Sequence, residues 1–576
     1  MTDPEATLGG LVRQALVAEL GPDYANADPL IRPSDFADYQ SNAALGLSKS
    51  VGRPPRDIAA PVANRLTDAA AVASAEVSGP GFINITLADG WIAGQASEQL
   101  DDRRLGVPLA EQAQRIVVDY SSPNVSKEMH VGHLRTTVVG DAVVRVLQYL
   151  GHDVIRANHI GDWGTQFGLL LEHLRDVGEQ AAYDQLAAGE INTFYQAAKQ
   201  KFDADPTFAE RSRRRVVALQ SGDAETLRLW QLLVGDSEQY YRTIYDRLGV
   251  TLTDADLAPE SFYNAMLGDV CDELESLGVA VISDGALCAF PPGFTARDGT
   301  PLPIILRKSD GGYGYAATDM AAIRYRIRDL GADRLIYVVG SEQSLHFAMI
   351  FAVARQACWL TDKVRADHAA IGMVAGADGK RFRTRSGSSV KLITLIDEAV
   401  ERAEEVIRDR YDDPERRHEI ALDVGIGALK YGDLSVARDS NYVLDFDRLL
   451  ALTGNTGPYL QYAAARSQSI FAKAGLDPAA VSSGPIVLST TAERALTLRL
   501  LGFGRAVDEV TVDAEPHKLA AFLFDTASAF TTFYEHCPVL SAEDEIRQSR
   551  LALCALTRRV LVTGLGLLGI SVPARM

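Results

Sequence analysis

The chain has 576 residues, of which 47% are hydrophobic and 23% are charged, and its formal net charge is −19. This length allows three or four domains, and the negative charge argues against a protein that binds nucleic acid indiscriminately. The sequence has no apolar run long enough to span a membrane and no basic segment followed by a hydrophobic run at its start. We therefore expect a cytoplasmic protein that does not contact a membrane.

Residues 1 to about 105 mix helix and strand patterns, which predicts an α+β unit. Apolar residues at helical spacing indicate helices at 11–20 and 57–75. Residues 79–87, Gly-Pro-Gly-Phe-Ile-Asn-Ile-Thr-Leu, begin with a turn signal and continue as an alternating strand. From composition alone this unit could also be an independent folding module without a ligand.

The next segment reads as a strand, a helix and a second strand. Residues 115–120 are a short apolar run, apolar residues recur at four-residue steps through 134–150, and residues 154–157 restore a strand pattern. Such a βαβ unit has its first loop at the carboxyl end of a strand, where open α/β sheets bind ligands.

Two histidines, His130 and His133, lie in this loop on either side of Gly132. A helix start presents unpaired backbone N–H groups that favour phosphate, and Gly132 has no Cβ to obstruct a ligand. We therefore predict a phosphate site here. Histidines packed in the core are the alternative reading of either residue alone.

Strand and helix signals continue to alternate as far as residue 402, which predicts a doubly wound, Rossmann-like α/β domain over residues 106–402. A helix-rich insertion interrupts it at about 170–300. Further on, the patterns indicate a helix at 318–330, a strand at 334–339 and a helix at 344–358. We find no Walker motif and no convincing Gly-x-Gly-x-x-Gly, so P-loop and dinucleotide chemistry lack support.

The remainder is predicted to be helical, with a connecting region at 403–454 and an all-α helical bundle at 455–576. Helices are expected at 494–507, 516–534 and 546–565, each with an apolar stripe. A scaffold or dimerisation bundle would show the same periodicity.

Several motifs in order along the chain resemble those of one family. Residues 121–133, Ser-Ser-Pro-Asn-Val-Ser-Lys-Glu-Met-His-Val-Gly-His, closely resemble the HIGH-motif region of class I aminoacyl-tRNA synthetases, and in particular of the arginyl-tRNA synthetase family. Further matches are Asn-His-Ile-Gly-Asp-Trp-Gly-Thr-Gln-Phe-Gly at 158–168, Gly-Gly-Tyr-Gly-Tyr-Ala-Ala-Thr-Asp at 311–319, Asp-Gly-Lys-Arg-Phe-Arg-Thr-Arg-Ser-Gly at 378–387 and Asn-Thr-Gly-Pro-Tyr-Leu-Gln-Tyr at 455–462. The resemblance implies an N-terminal tRNA-binding domain, a class I catalytic domain with a connective insertion, and a C-terminal anticodon-binding domain.

The resemblance also implies an ATP site. His130 and His133 are expected to act in catalysis and, with Gly132, to bind ATP. The second class I signature, KMSKS, departs from its pattern here, because residues 381–386 read Arg-Phe-Arg-Thr-Arg-Ser. Basic residues are expected to neutralise the phosphates instead: Lys127 and Arg385 in catalysis, and Lys380 and Arg383 in ATP binding, to which Thr384 is also assigned. An ordinary solvated basic loop is the alternative.

An arginine substrate requires an acceptor for its planar guanidinium, and a carboxylate is the strongest match. By resemblance, Tyr315 and Asp319 hold the guanidinium, and Asp119 and Asn124 meet the amino-acid end. The full set of expected arginine-binding residues is Asp119, Ser121, Asn124, His159, Tyr315, Asp319 and Gln343. Asp319 could instead cap a helix, and Asp119 could be a solvated turn residue.

The resemblance predicts ligation of L-arginine to tRNA(Arg) through an arginyl-adenylate, with ATP consumed and Mg²⁺ accompanying the nucleotide. Tyr459, Gln461 and Tyr462 are candidate tRNA contacts, although each could equally be a packed helix residue. Five cysteines without Cys-x-x-Cys spacing argue against zinc, and we expect no dedicated metal site and a monomer. The rival hypotheses are another class I synthetase and a non-catalytic tRNA-binding paralogue.

Overall fold

The structure is a computed structural model of the chain and describes residues 3–125, 128–187, 191–376, 390–478, 481, 484–574 and 576. The protein has three units in chain order: an α+β unit, a parallel α/β unit and a helical unit. In the described part of the chain, no helix is long and apolar enough to cross a membrane.

The N-terminal unit is an antiparallel sheet packed against helices. Its elements are α1 (Pro4–Leu20), β1 (Ile31–Pro33), β2 (Tyr39–Ser41), α2 (Ala43–Val51), α3 (Pro55–Leu66), β3 (Val72–Ser78), β4 (Phe82–Leu87) and α4 (Asp89–Asp101). The sheet order is β1-β2-β4-β3. The helix predicted at 57–75 is wrong over its last part, because α3 ends at Leu66 and Val72 begins β3. Strand pairing with β4 overrides the helical preference of the alanine-rich run there.

The parallel α/β unit is built on four strands in the order β11-β10-β5-β6. Its first half contains β5 (Arg115–Asp119), α5 (Val131–Tyr149), β6 (Asp153–Ala157), α6 (Thr165–Val177), α7 (Glu179–Ala187), α8 (Ile191–Ala204), α9 (Pro206–Gln220), α10 (Ala224–Leu248), α11 (Leu267–Ser276), β7 (Ala280–Ser283) and β8 (Ala286–Ala289). Its second half contains β9 (Ile304–Arg307), α12 (Tyr315–Arg328), β10 (Arg334–Tyr337), α13 (Ser344–Gln356), β11 (Arg365–His368), β12 (Val374–Ala375) and α14 (Leu392–Ile407). Besides its helices, the inserted stretch contributes β7 and β8 to a small antiparallel sheet with β9.

Alternation along β5 explains why helices cover both faces of the parallel sheet. Ile116 and Val118 belong to the core that includes α5, whereas Val117 belongs to the core that includes α12 and α13. Successive side chains of a strand point to opposite faces, so a continuous apolar strand must be covered on both sides. The doubly wound class predicted from the sequence is confirmed.

The rest of the chain is almost entirely helical. Its elements are α15 (Pro414–Leu434), β13 (Tyr442–Val443), α16 (Phe446–Leu449), α17 (Gly457–Ala474), α18 (Thr491–Leu501), α19 (Phe503–Asp513), α20 (Pro516–His536) and α21 (Asp544–Leu567). The single helix predicted at 494–507 is wrong, because Gly502 separates α18 from α19. The apolar stripe continues across the break, so periodicity alone did not reveal it.

The N-terminal unit packs directly on the C-terminal helices. The side-chain amide of Gln99 donates a hydrogen bond to the carbonyl of Leu500 at 2.9 Å. Arg494 donates to both carboxylate oxygens of Asp38, at 2.6 and 2.7 Å. The N-terminal unit and the C-terminal helices are therefore joined by direct hydrogen bonds.

Candidate active site

The turn between β5 and α5 is organised by its two histidines. Nδ1 of His130 accepts a hydrogen bond from the backbone N–H of Gly132, and Nδ1 of His133 accepts one from the N–H of His130, both at 3.0 Å. The two ring centroids lie 4.0 Å apart. Because each Nδ1 is an acceptor, a neutral ring carries its proton on Nε2, which makes Nε2 the donor of each side chain.

A cavity of about 290 Å³ opens beside this turn and is lined by His130, Gly132 and His133. Its other walls include Ser122 and Asn124, which follow β5, and residues 338–340, which follow β10. The cavity therefore lies at the carboxyl ends of adjacent parallel strands, as open α/β folds require of a ligand site.

The chain leaves β5 in a strained conformation, since Ser121 and Ser122 have φ of +70° and +46°. The Ser121 hydroxyl is buried and hydrogen-bonded to the hydroxyls of Thr137 and Tyr245, both at 2.8 Å. These bonds hold the turn in place. The hydroxyl is thereby directed into the protein, although Ser121 also borders the cavity.

Asn124 lies against Gly161, and the two residues form a parallel bridge. A Cβ on Gly161 would lie 2.2 Å from Oδ1 of Asn124, so any larger residue at 161 would displace the Asn124 side chain. The close contact fixes Asn124 at the cavity wall. The contact also explains the glycine at position 161 of the segment 158–168.

Asp319 lies in the second turn of α12 and points toward two histidines. Its Oδ2 is 2.6 Å from Nε2 of His346, and its Oδ1 is 4.0 Å from Nε2 of His159. The N-cap of α12 is Gly314, so the alternative in which Asp319 caps the helix is wrong. Tyr315, one turn earlier, is 68% exposed, and its ring centroid lies 5.0 Å from that of His346.

Asp119 is buried at the end of β5 and is already paired. Its Oδ2 is 2.7 Å from Nη2 of Arg326, and its Oδ1 accepts a hydrogen bond from the Ser122 hydroxyl at 2.9 Å. With 4% of its surface exposed, Asp119 is not a solvated turn residue.

Two further carboxyl groups lie near this pocket, and sequence reasoning missed the more informative of them, Glu260. Burial, together with the carboxylates of Asp162 and Asp319, raises the pKa of Glu260 to about 8. Burial also raises the pKa of Asp162 to about 6, although Ser261 donates to it from both its hydroxyl and its N–H. Acidic groups forced together in this way favour a cationic ligand.

Gln343 connects the two parts of the site. It lines the cavity beside the histidine turn, and it directly precedes α13, which carries His346 one turn further on. The cavity and the Asp319 group are therefore adjacent. Thr384 and the four basic residues predicted for catalysis or ATP binding all lie outside the described residues; these four are Lys127, Lys380, Arg383 and Arg385.

The three predicted tRNA contacts lie on α17 and differ in exposure. Gln461 is fully buried, and its amide nitrogen donates to the carbonyls of Asp423 and Ser571 at 2.9 and 2.7 Å. These bonds use both amide protons. Gln461 is therefore a buried packing residue and cannot contact RNA in this structure.

Tyr459 and Tyr462 are partly exposed. The Tyr459 hydroxyl lies 3.2 Å from that of Thr531. The guanidinium carbon of Arg466 lies 4.7 Å from the ring centroid of Tyr462 and 5.0 Å from that of Tyr534, which places a cation between two rings on this surface.

Three family models match successive parts of the chain. The model described as "Arginyl tRNA synthetase N terminal domain" matches residues 7–87, "tRNA synthetases class I (R), catalytic domain" matches residues 96–446, and "DALR anticodon binding domain" matches residues 460–576. Together they follow the three units of the fold.

Curated relatives match over the full length. A protein of Thermobifida fusca named arginine–tRNA ligase is 59% identical over 100% of both chains, and one of Frankia casuarinae is 51% identical over 98% of this chain and 97% of its own. The solved structure of arginyl-tRNA synthetase from Plasmodium falciparum superposes with a TM-score of 0.85 at 27% identity, over 99% of both chains. That of the Thermus thermophilus enzyme gives 0.80 at 25% identity over the whole of both chains. The chain therefore belongs to the arginyl-tRNA synthetase family of class I aminoacyl-tRNA synthetases.

Proposed function

We propose that the protein ligates L-arginine to tRNA(Arg) for protein synthesis, through an arginyl-adenylate formed from ATP. One structural observation carries the proposal. Gln343 lines the cavity at the histidine turn, while His346, one helical turn further on, bonds Asp319. A phosphate site and a carboxylate for a cationic side chain therefore adjoin at the carboxyl edge of one sheet.

In the first step, a carboxylate oxygen of arginine forms a bond to the α-phosphorus of ATP as the bond to pyrophosphate breaks. Negative charge on the phosphate oxygens must be stabilised, and no nucleophilic side chain is needed. The Nε2 donors of His130 and His133 suit this role. The N–H groups of Val131, Gly132 and His133 at the start of α5 already donate to the Val390 carbonyl, Nδ1 of His130 and the His130 carbonyl. In the second step, the 2′-hydroxyl of the terminal adenosine attacks the carbonyl carbon and AMP departs.

Different residues are assigned to the two ends of the arginine substrate. We assign Asp319 and Tyr315 to the guanidinium, with Glu260 as a second carboxyl group near it. Asn124 and Gln343, which line the cavity, are assigned to the amino-acid end, and His159 is assigned to the same pocket because its Nε2 lies 4.0 Å from Oδ1 of Asp319. Asp119 and Ser121 are assigned a supporting part, because their polar atoms already bond protein groups.

Four basic residues and Thr384 are assigned to the phosphates on their resemblance to the family motifs; the basic residues are Lys127, Lys380, Arg383 and Arg385. Mg²⁺ is expected to accompany ATP. Among the described residues, no group of three or more His, Cys, Asp or Glu side chains could hold a metal ion. Mg²⁺ on a nucleotide needs only one or two protein carboxylates, and Glu342 in the cavity wall fits this need. When bound, the ion would neutralise phosphate charge.

The tRNA is proposed to contact the N-terminal unit and the C-terminal helices. Tyr462, flanked by Arg466 and Tyr534, offers a stacking surface for an unpaired base, with Tyr459 nearby on the same helix. We place the domain boundaries at 105, 402 and 454, with the insertion at about 170–300, and propose a cytoplasmic monomer.

The test is charging of total bacterial tRNA by the purified protein with ATP, Mg²⁺ and each of the twenty amino acids separately. Charging with arginine alone supports the proposal. Charging with another amino acid would identify a different class I synthetase. Tight tRNA binding without charging or ATP–pyrophosphate exchange would identify a non-catalytic paralogue. Size-exclusion chromatography with light scattering tests the monomer.

A further inference from the structure

A buried ion pair connects α5 to α15 just behind the histidine turn. Nε of Arg135 lies 2.7 Å from Oδ1 of Asp433, and the side chains are 1% and 0% exposed. Nη1 of Arg135 also donates to the carbonyl of Ser440 at 2.7 Å, and its guanidinium carbon lies 5.2 Å from the ring centroid of Tyr442. Arg135 comes two residues after His133 on the same helix, so these contacts attach the histidine turn to the segment 433–442.

That segment in turn holds residues 372–375 through backbone contacts. The N–H of Gly372 donates to the carbonyl of Arg438 at 2.8 Å, and β12 pairs with β13 in parallel. A Cβ on Gly372 would lie 2.4 Å from the carbonyl oxygen of Ser440, which is the same oxygen that Arg135 binds. The backbones at Gly372 and Ser440 therefore leave no room for a Cβ at residue 372, next to the carbonyl that Arg135 binds.

Residues 372–374 form one wall of the cavity that His130 and His133 line. The histidine turn and this wall come from parts of the chain about 240 residues apart, and the link from Arg135 to Ser440 joins them from behind. A guanidinium suits this role, since its planar fork can bind acceptors in two directions, whereas an ammonium is a single point of charge.

We propose that Arg135 is a positioning residue for ATP, which sets the distance between the histidine turn and the Gly372–Val374 wall. Arg135 does not line the cavity and acts through these two walls. The inference rests on the proposed function, because it takes the cavity to be the nucleotide site.

The chain offers a matched control in another buried pair of the same geometry. Nε of Arg550 lies 2.7 Å from Oε1 of Glu493, with side-chain exposures of 10% and 0%, and Nη1 of Arg550 donates to the carbonyl of Pro538 at 2.7 Å. This pair joins α18 to α21 and lies outside the cavity walls. Breaking either pair is expected to destabilise the fold, but only the pair at Arg135 is expected to alter ATP binding.

The experiment compares Arg135→Lys, Asp433→Asn and Arg550→Lys with the unaltered protein. Dissociation constants for ATP are measured by equilibrium dialysis without arginine, and KM values for ATP and arginine by pyrophosphate exchange with tRNA present. All assays are run well below the unfolding midpoint of each variant, determined by circular dichroism. We expect Arg135→Lys to weaken ATP binding by about tenfold, roughly the loss of one hydrogen bond to a charged phosphate. Arg550→Lys should leave ATP binding within twofold of the unaltered protein.

Asp433→Asn retains an oxygen acceptor for Arg135 and should give a smaller loss of ATP affinity than Arg135→Lys. Unaltered ATP affinity in a folded Arg135→Lys variant would overturn the inference, and so would equal losses in Arg135→Lys and Arg550→Lys. If both variants of the Arg135 pair fail to fold while Arg550→Lys folds, the pair serves stability and the inference is wrong. Because ATP dialysis needs no arginine, failure of arginine charging by the unaltered protein would count against the proposed function separately.

Discussion

His346 and Asp319 form a close contact, with Nε2 of His346 2.6 Å from Oδ2 of Asp319. The carboxylate assigned to the guanidinium of arginine therefore already has an imidazole partner. A guanidinium that binds Asp319 must share it with His346 or displace the ring. Because a guanidinium offers two parallel donors to a carboxylate, it can compete with a single ring N–H.

Replacing Asp319 with Asn should raise the KM for arginine far more than the KM for ATP. The variant keeps the size of the side chain but removes the charge, and a hydrogen bond to a charged group is worth about 1.5–3 kcal/mol, or roughly ten- to a hundredfold in affinity. Pyrophosphate exchange at varied arginine and ATP gives both constants.

Asp329→Asn is the control for this substitution, because Asp329 is an exposed carboxylate at the other end of the same helix. It should leave both constants unchanged. Equal effects of Asp319→Asn on arginine and ATP would remove the assignment of Asp319 to the guanidinium.

Arginine binding is predicted to release a proton from Glu260. With a pKa of about 8, this carboxyl group is mostly neutral at pH 7. A guanidinium nearby favours the carboxylate and lowers the pKa, so binding drives ionisation. Affinity for arginine should therefore increase from pH 6 to pH 8, as the proton that must leave becomes easier to remove.

Calorimetry at pH 7 in two buffers of different ionisation enthalpy measures this proton release directly. The same titration with Glu260→Gln should show no release from this group and a flatter pH dependence. A binding enthalpy that does not depend on the buffer in the unaltered protein would show that Glu260 is not coupled to arginine.

Gly132→Ala should impair ATP use with little loss of stability. The new Cβ would lie 2.8 Å from Cε1 of His130, so the ring must move within the turn. A displacement of this kind is expected to lower kcat/KM for ATP by roughly ten- to a hundredfold. Gly94→Ala, at a helical position with open space around the added methyl group, is the matched control. Unchanged ATP kinetics in Gly132→Ala would mean that the position of the His130 ring does not matter.

The buried Lys430 is expected to make the free energy of unfolding increase with pH. Burial lowers the pKa of its ammonium group to about 8 in the folded protein, from its ordinary value of 10.5, although Asp141 opposes the shift. Between these two values the unfolded chain binds more protons than the folded chain, so this group increases the free energy of unfolding as pH rises. The slope cannot exceed about 1.4 kcal/mol per pH unit.

Urea denaturation at pH 7.5, 8.5 and 9.5 compares the unaltered protein with Lys430→Met. As pH rises, the free energy of unfolding of the unaltered protein should increase relative to that of Lys430→Met. Lys430 also donates to the carbonyl of Gly569 at 2.6 Å, so the variant can differ at every pH. Parallel pH profiles would show that Lys430 keeps an ordinary pKa in the fold.

The sequence predicted the histidine turn because all its parts are close neighbours in the chain. His130, Gly132 and His133 lie within four residues, and the strand and helix on either side have clear periodicity. Glu260 could not be predicted in this way. It belongs to the inserted stretch, and its backbone N–H bonds the carbonyl of Ile160, so its position depends on a contact across 100 residues.

The errors have local physical causes. The run at 69–75 is rich in alanine, but β4 offers it a partner strand, and pairing over Val72–Ser78 outweighs helix propensity. Gln461 was predicted to contact tRNA, but it is buried. Its amide donates to the carbonyls of Asp423, in α15, and Ser571, after α21. Neither partner can be read from the sequence around it.

The hydrogen bond from Gln99 to Leu500 has a consequence for synthesis on the ribosome. The two residues are 401 positions apart, so at bacterial and eukaryotic elongation rates of about 5–20 residues per second the second follows the first by roughly 20–80 s. During that time the end of α4, including the buried Leu100, has no C-terminal helices to pack on. A nascent chain of this protein therefore exposes an unfinished interface for most of its own translation.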